Sequence, residues 1–265
     1  YAIEADADVV NMSFVTDENI FSYYTKLAVD SDVICVAAAG NDSTALLNYP
    51  AADENVIGVG ALDSDWELAA YSNYGDNSDI VAPGSVYTTK MGGTYGYTQG
   101  TSLASPIVAA AAALYRADHP GAEFKEIRDY LIASSVDLGT SGEDVLYGYG
   151  ALDIYAFLYE EKGTITYEMQ TDEIKNETQP FVKGHTVQLM LEPEREDVVF
   201  DGWYYDRDCT DEVEYYTDVF SQDVTLYAKW ANEDDANAYT YATLPDGTVK
   251  ILSYTGKRKY LTVPD

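Results

Sequence analysis

Four short apolar segments near the start of the chain end in small or polar residues, a pattern typical of strands buried on both faces of a parallel sheet. They are DVVNMSF at 8–14, DVICVAAAG at 32–40, NVIGVGAL at 55–62 and SDIVAPG at 78–84. Between the first two, apolar residues at helical spacing follow Asp17, which we expect to cap that helix. These residues are Ile20, Phe21, Tyr24, Leu27 and Ala28. The pattern predicts an α/β fold, with helices flanking a parallel sheet.

Residues 85–100, SVYTTKMGGTYGYTQG, alternate around Gly92 and Gly93 and predict a β-hairpin. The hairpin leads into GTSLASPIVAAAAALY at 100–115, whose alanines indicate a closely packed helix. A further helix is predicted after Pro120, because Phe124, Ile127 and Leu131 share one helical face.

The pattern changes at about residue 161, where the helices give way to short strands rich in Thr, Val and Tyr. We therefore expect one α/β domain over 1–160 and a smaller β-rich domain over 163–230. The acidic, aperiodic stretch at 231–238 is typical of a linker. Residues 239–265 hold strand-like pieces divided by turns and are too short to bury a core alone.

Composition excludes several classes of function. The 265 residues carry a formal net charge of −31, which disfavours binding to nucleic acid and to anionic membranes. The longest apolar stretch, near Pro106 to Tyr115, is well short of the roughly 20 residues that a membrane-spanning helix needs. No signal peptide is visible at the start. Cys35 and Cys209, the two cysteines, provide neither a disulfide framework nor a zinc site. We predict no metal and no cofactor.

Ser102 stands at the start of the alanine-rich helix, where two roles are open from the residues alone. Serine is a favoured helix N-cap. The same place offers free backbone N–H groups and the positive end of the helix dipole, which stabilise a developing oxyanion. Gly100 lets backbone or substrate approach closely.

Five segments occur in a set order along the first domain: AAAGND at 37–42, YPAADENVIGVGAL at 49–62, YSNYG at 71–75, IVAPG at 80–84 and GTSLASP at 100–106. Together they resemble the motifs of the subtilisin-like serine peptidases, the subtilases. The resemblance implies a partial subtilisin-like sheet, with Ser102 as nucleophile and Asn41 donating its amide to the oxyanion beside the Ser102 N–H. It also implies a set of substrate-binding residues: Ser13, Phe14, Val15, Ala38, Ala39, Gly40, Asp42, Asn48, Gly100 and Thr101.

Three of these positions suggest the specificity of the pocket that receives the residue before the scissile bond. The resemblance implies that Val15, which stands where the family usually has glycine, narrows one wall. Asn48 would make the base of the pocket polar. Asp42 would lie at the rim and favour basic side chains.

A serine nucleophile needs a base, in this family a histidine that an aspartate orients. His119 follows Ser102 by 17 positions, roughly 25 Å along one helix, and is expected to end that helix. His185 is expected to begin a strand of the second domain. We therefore expect the catalytic Asp and His to lie upstream, so that this chain is inactive as given. The alternative is a degenerate subtilase that serves as scaffold in a surface adhesion protein.

Residues 163–230 resemble the Listeria-Bacteroides repeat, a β-grasp-like module of bacterial surface proteins, through FDGWY at 200–204 and DVTLYAKW at 223–230. We expect Trp203 and Trp230 to be core anchors of this module. Residues 239–265 resemble the start of a surface leucine-rich repeat. The resemblances imply a secreted or cell-surface enzyme that cleaves peptides, with a cell-wall or host-surface partner bound through the repeats.

Overall fold

The computed structural model describes residues 1–140, 142–185, 187, 189, 193, 195, 198–213, 219–232, 239–243 and 249–254. The chain divides into two compact units. The first is Tyr1–Gly163 with Pro180–Val187, and the second is Thr164–Gln179 with Gln188–Asp265.

The first unit is built on a parallel four-stranded sheet in the order β1-β2-β3-β4. Its strands are β1 (Val9–Met12), β2 (Ile34–Ala38), β3 (Ile57–Leu62) and β4 (Ile80–Pro83). β2 and β3 are buried along their whole length, as the apolar pattern predicts. In β1 only Met12 is buried, so the expectation of burial on both faces is wrong there.

Four helices and a hairpin complete this unit. The helices are α1 (Ser22–Asp30), α2 (Thr101–Asp118), α3 (Phe124–Ala133) and α4 (Ile154–Tyr159). The predicted hairpin is present as β5 (Ser85–Lys90) and β6 (Thr94–Gln99), which pair antiparallel. The alanines of α2 pack against β2 and β3, and Phe124, Ile127 and Leu131 of α3 join the same buried core. The sheet thus fixes the N-terminal end of α2.

Helix α1 differs from the prediction in its cap and in its buried face. Phe21 is the N-cap residue and provides no side-chain cap, while Asp17 accepts a hydrogen bond from Asn48 instead. The buried residues are Thr25 and Ala28, whereas Ile20, Tyr24 and Leu27 are exposed. Hydrogen bonds determine which face of α1 is buried. The hydroxyls of Ser22 and Thr25 both donate to the Asp53 carboxylate, which turns this side of the helix inward.

The β-rich part of the chain forms a second four-stranded sheet in the order β8-β7-β10-β9. Its strands are β7 (Lys162–Glu168), β8 (Glu177–Val182), β9 (Val198–Tyr204) and β10 (Val224–Asn232). β10 runs parallel to β7 and antiparallel to β9. Trp203 is 1% exposed and contacts Tyr167, as expected of a core anchor. Trp230 is partly buried, and its indole N–H donates to the Met169 carbonyl oxygen at 2.7 Å.

After this sheet the chain passes through the expected linker to a pair of short strands. β10 continues to Asn232, two residues into the expected linker, and positions 233–238 lie outside the described residues. β11 (Tyr239–Thr243) and β12 (Val249–Tyr254) pair antiparallel, and the rest of the expected leucine-rich repeat lies outside the described residues. Within the described part of the chain, no helix has the length and apolar character to cross a membrane.

Candidate active site

The N-terminus of α2 and the end of β2 meet at the candidate site. Gly100 is the N-cap residue of α2 and has a φ of 147°, a conformation that favours glycine. Ser102 is therefore the second residue of the helix, so the interpretation of Ser102 as the capping residue is wrong. Ala38 and Ala39 are fully buried at the end of β2, and Gly40 and Asn41 lead the chain out of the sheet.

Thr101 fixes the orientation of the Asn41 side chain. The Thr101 backbone N–H donates to Asn41 Oδ1 at 2.8 Å, and the Thr101 hydroxyl lies 3.1 Å from the same oxygen. A backbone N–H can only donate, so the amide atom that faces it must be the oxygen. The amide nitrogen of Asn41 therefore points away from Thr101, with both of its hydrogens available on the exposed side of the site.

Asn73 organises the turn that carries Asn41. Its Oδ1 accepts the backbone N–H of Asp42 at 2.8 Å, and its Nδ2 donates to Asn48 Oδ1 at 2.9 Å. Asn73 is 1% exposed. A side chain at Gly40, whose φ is 112°, would collide with the amides of Asn48 and Asn73. The turn thus depends on a glycine and two asparagines that fit together.

Ser13 contacts Ser102 through two atoms. The Ser13 hydroxyl donates to the Ser102 carbonyl oxygen at 2.9 Å, and the Ser102 hydroxyl donates to the Ser13 carbonyl oxygen at 3.4 Å. Ser13 follows directly after β1, so the edge strand and the first turn of α2 are joined at the predicted nucleophile.

The remaining predicted substrate-binding residues lie in the chain segments that follow Ser13 and Asn41. Phe14 and Val15 are 49% and 45% exposed, and the ring of Phe14 packs against Phe21 with centroids 5.5 Å apart. Asp42 is exposed beside Asn41. The amide of Asn48 is used at both ends, since its nitrogen donates to Asp17 at 2.9 Å and its oxygen accepts from Asn73.

Tyr71 holds the base of the hairpin next to Gly100. Its hydroxyl donates to the Gly84 carbonyl oxygen at 2.9 Å and accepts the Gly100 N–H at 3.2 Å. Burial raises the pKa of Tyr71, so the hydroxyl keeps the proton that it donates. Tyr71 and Asn73 both lie in the YSNYG segment, but nothing in its local pattern marks either of them as a hydrogen-bonding residue.

Neither histidine approaches Ser102. His119 is the C-cap residue of α2, at the opposite end of that helix, and its ring stacks on Tyr115. His185 does not begin a strand, contrary to the expectation: it lies in a turn after β8, with Nε2 2.5 Å from Glu160 Oε2. Among the described residues, the Ser102 hydroxyl has no side-chain base within hydrogen-bond distance.

The Asp53 carboxylate serves a structural contact. Burial tends to raise the pKa of Asp53, but hydrogen bonds from Ser22, Asn55 and Thr25 outweigh it and lower that pKa. Asp53 therefore stays ionised while it holds α1 against the loop at 50–56. In the described ranges, no group of three or more His, Cys, Asp or Glu side chains is arranged to hold a metal ion.

Sequence comparison gives two family matches. Residues 1–150 match the subtilase family, and residues 163–229 match the Listeria-Bacteroides repeat domain. The comparisons give no support to a leucine-rich repeat after residue 238.

Subtilisin NAT of Bacillus subtilis subsp. natto is 39% identical over 163 residues, and the match covers 59% of this chain and 42% of that protein. A subtilisin of Bacillus pumilus is also 39% identical over 163 residues, with 58% of its length covered. The chain therefore spans about half the length of these relatives.

Solved structures give the same fold. A lanthipeptide protease superposes with a TM-score of 0.55 at 27% identity, covering 59% of this chain and 62% of that one. The prenylagaramide maturation protease PagA gives a TM-score of 0.53, also at 27% identity, with the same two coverages. With its match over more than half of its residues, the chain belongs to the subtilase family.

Proposed function

We propose that the full-length protein is a subtilisin-type serine endopeptidase that acts outside the cell through an acyl-enzyme, with Ser102 as nucleophile. The observation that carries the proposal is the hydrogen bond from the Thr101 N–H to Asn41 Oδ1. This bond turns the amide nitrogen of Asn41 outward at the helix end that carries Ser102.

In this mechanism, the Ser102 hydroxyl attacks the carbonyl carbon of the scissile peptide bond and a base takes its proton. The carbonyl oxygen gains negative charge, which the Asn41 amide and the Ser102 backbone N–H stabilise. The base returns the proton to the leaving amine, whose departure leaves an ester on Ser102, and water then hydrolyses that ester. Because Thr101 holds the amide in place beforehand, little reorganisation is needed when the charge develops.

We propose that the base and the carboxylate that orients it come from a segment of the full-length protein that precedes residue 1. Two findings support this arrangement: the chain spans only 42% of subtilisin NAT, and the two histidines have other partners. The extended residues Ser13–Val15 would bind the substrate backbone on one side, and Ala38–Gly40 would line the other side.

The pocket before the scissile bond would accept slim apolar or basic side chains and disfavour large aromatic and acidic ones. Val15 would narrow one wall, and the Asp42 carboxylate would attract a cationic head while the aliphatic stem of that side chain crosses the apolar wall. Asp42 is exposed, so its contribution is about 1 kcal/mol or less. We therefore expect a broad specificity with a modest basic preference.

The second sheet would serve attachment rather than chemistry. Its match to a repeat domain, together with the minor extracellular protease Epr of Bacillus subtilis among the relatives, supports a secreted or bacterial cell-surface location and a cell-wall or host-surface partner.

Fluorophosphonate labelling tests the proposal, because the reagent reacts with an activated serine. We expect the full-length protein to be labelled at Ser102, and neither its Ser102→Ala variant nor the 265-residue chain alone to be labelled. A folded full-length protein that stays unlabelled would instead favour the scaffold role in surface adhesion. Stoichiometric labelling of the 265-residue chain would contradict an external base.

A further inference from the structure

A row of hydrogen bonds links the buried side of α2 to the peptide group of Ser102. The Ser105 hydroxyl donates to Asn11 Oδ1 at 2.7 Å, and Asn11 Nδ2 donates to the Ser13 hydroxyl at 2.9 Å. The Ser13 hydroxyl in turn donates to the Ser102 carbonyl oxygen at 2.9 Å. Ser102 and Ser105 are one helical turn apart, so the row starts and ends on the same helix after passing through the end of β1.

The direction of every bond in this row is fixed. The Ser102 carbonyl oxygen can only accept, so the single proton of the Ser13 hydroxyl must point to it. The Ser13 oxygen therefore acts as acceptor towards Asn11, and only the amide nitrogen of Asn11 can donate. The amide oxygen then faces Ser105, whose hydroxyl must donate. Asn11 thus uses two different atoms in the row, since its amide nitrogen donates to Ser13 and its amide oxygen accepts from Ser105.

Asn11 is held in place by its strand and by Ser105, and neither contact involves Ser102. Its backbone lies in β1, opposite Val36 of the fully buried strand β2. Ser105, at the far end of the row, is 0% exposed. The row therefore transmits the position of the sheet to the first turn of α2.

We propose that Asn11 is a positioning residue, which acts through Ser13 to set the spacing between the extended segment Ser13–Val15 and the helical turn that carries Ser102. This inference rests on the proposed function, in which a peptide substrate lies between these two segments. Asn11 itself would touch neither the substrate nor the reacting atoms. Its effect would fall on kcat/KM through the placement of Ser13 and Ser102.

Asn11→Asp is the sharpest test, since it keeps the shape of the side chain and removes its ability to donate. A carboxylate accepts from both hydroxyls, so the Ser13 proton turns away from the Ser102 carbonyl oxygen. Asn11 is exposed, so the added charge stays solvated and the fold is retained. Asn19→Asp is the matched control, because Asn19 is exposed and its side-chain oxygen accepts the backbone N–H of Ser22, a role that a carboxylate oxygen can also fill.

We expect Asn11→Asp to lower kcat/KM of the full-length enzyme by about two- to twelvefold, the effect of one lost hydrogen bond. Asn11→Ala should lower it to a similar extent, and Asn19→Asp should leave it unchanged. If Asn11→Asp keeps full activity while Asn11→Ala loses it, the side chain acts by its shape alone and the proposal is overturned.

Hydrogen exchange by mass spectrometry provides a readout that does not need activity. Asn11→Asp should speed amide exchange both in peptides covering 11–16 and in peptides covering 98–106, whereas Asn19→Asp should change neither. Unchanged exchange over 98–106 overturns the positioning role. A full-length protein that cleaves nothing would contradict the proposed function, and the exchange result would then decide this inference by itself.

Discussion

The hydroxyl of Thr101 provides a graded test of how the Asn41 amide is held. Thr101→Val keeps the shape of this fully buried side chain and replaces its hydroxyl with a methyl group. That oxygen has one proton, which lies between Asn41 Oδ1 at 3.1 Å and the Gly40 carbonyl oxygen at 3.3 Å. It also accepts the Gly40 N–H at 3.2 Å.

Two magnitudes follow from these contacts. Asn41 Oδ1 keeps its shorter bond to the Thr101 N–H, so only one of its two anchors is lost. One net hydrogen bond is worth about 0.5–1.5 kcal/mol, which corresponds to a decrease in kcat of about two- to twelvefold. The Gly40 N–H loses its acceptor in a buried site, which should lower the free energy of unfolding by about 1–3 kcal/mol.

The assay measures kcat and KM on one peptide substrate with the full-length enzyme, beside urea unfolding of the same preparations. Thr101→Ser is the control, since it restores the oxygen and should keep both quantities near those of the unmodified enzyme. The reasoning is refuted if Thr101→Val lowers the free energy of unfolding and leaves kcat unchanged. The reasoning is equally refuted if kcat falls as far as in Asn41→Ala, because the backbone N–H of Thr101 would then contribute nothing to holding the Asn41 amide.

Three further outcomes are expected. Asn41→Ala should lower kcat by about a hundredfold or more with little change in KM. This magnitude is the one known for an oxyanion donor in a subtilisin and is not worked from this structure. A near-normal kcat would show that another group stabilises the oxyanion. Asp42→Asn should lower the lysine-to-glutamate ratio of kcat/KM by up to about fivefold at low salt and little at high salt, measured on matched peptides. Arg128→Met should lower the free energy of unfolding by about 2–4 kcal/mol at pH 8, because it leaves the Asp79 carboxylate buried without its cation. Burial raises the pKa of Asp79 even though the Arg128 cation acts to lower that pKa. In Arg128→Met, the loss of unfolding free energy should therefore shrink when urea unfolding is measured at pH 5, because the buried carboxyl then takes up a proton. A loss that does not depend on pH would contradict the role given to the Asp79–Arg128 ion pair.

The sequence predicts the parts of this fold that depend on apolar spacing. The parallel sheet, the hairpin around Gly92 and the core face of α3 follow from local patterns of apolar, glycine and turn residues. The helix α1 shows the limit of that approach, because bonds from Ser22 and Thr25 to Asp53 select its buried face against the apolar spacing.

The residues of the candidate site fall into two groups, those that the sequence identifies and those that only the structure shows. Ser102 and Asn41 stand in motifs that a resemblance can identify. Asn73, Asn11 and Ser105 escape sequence reasoning, because each acts through a side-chain hydrogen bond to a distant segment. Ser105 and Asn11 are 94 positions apart in the chain. No local periodicity encodes such a pairing, so only the folded arrangement shows it.

The interlocked turn of Gly40, Asn48 and Asn73 has a consequence for directed evolution of this protein. A substitution at any one of the three creates a collision or leaves an amide group unpaired, so improved variants at these positions would require simultaneous changes that random libraries rarely sample. In the proposed substrate pocket, exposed Val15 and Asp42 do not share that constraint. A library that varies these two positions and keeps the three turn residues should therefore retain a high fraction of folded clones while it diversifies the choice of substrate.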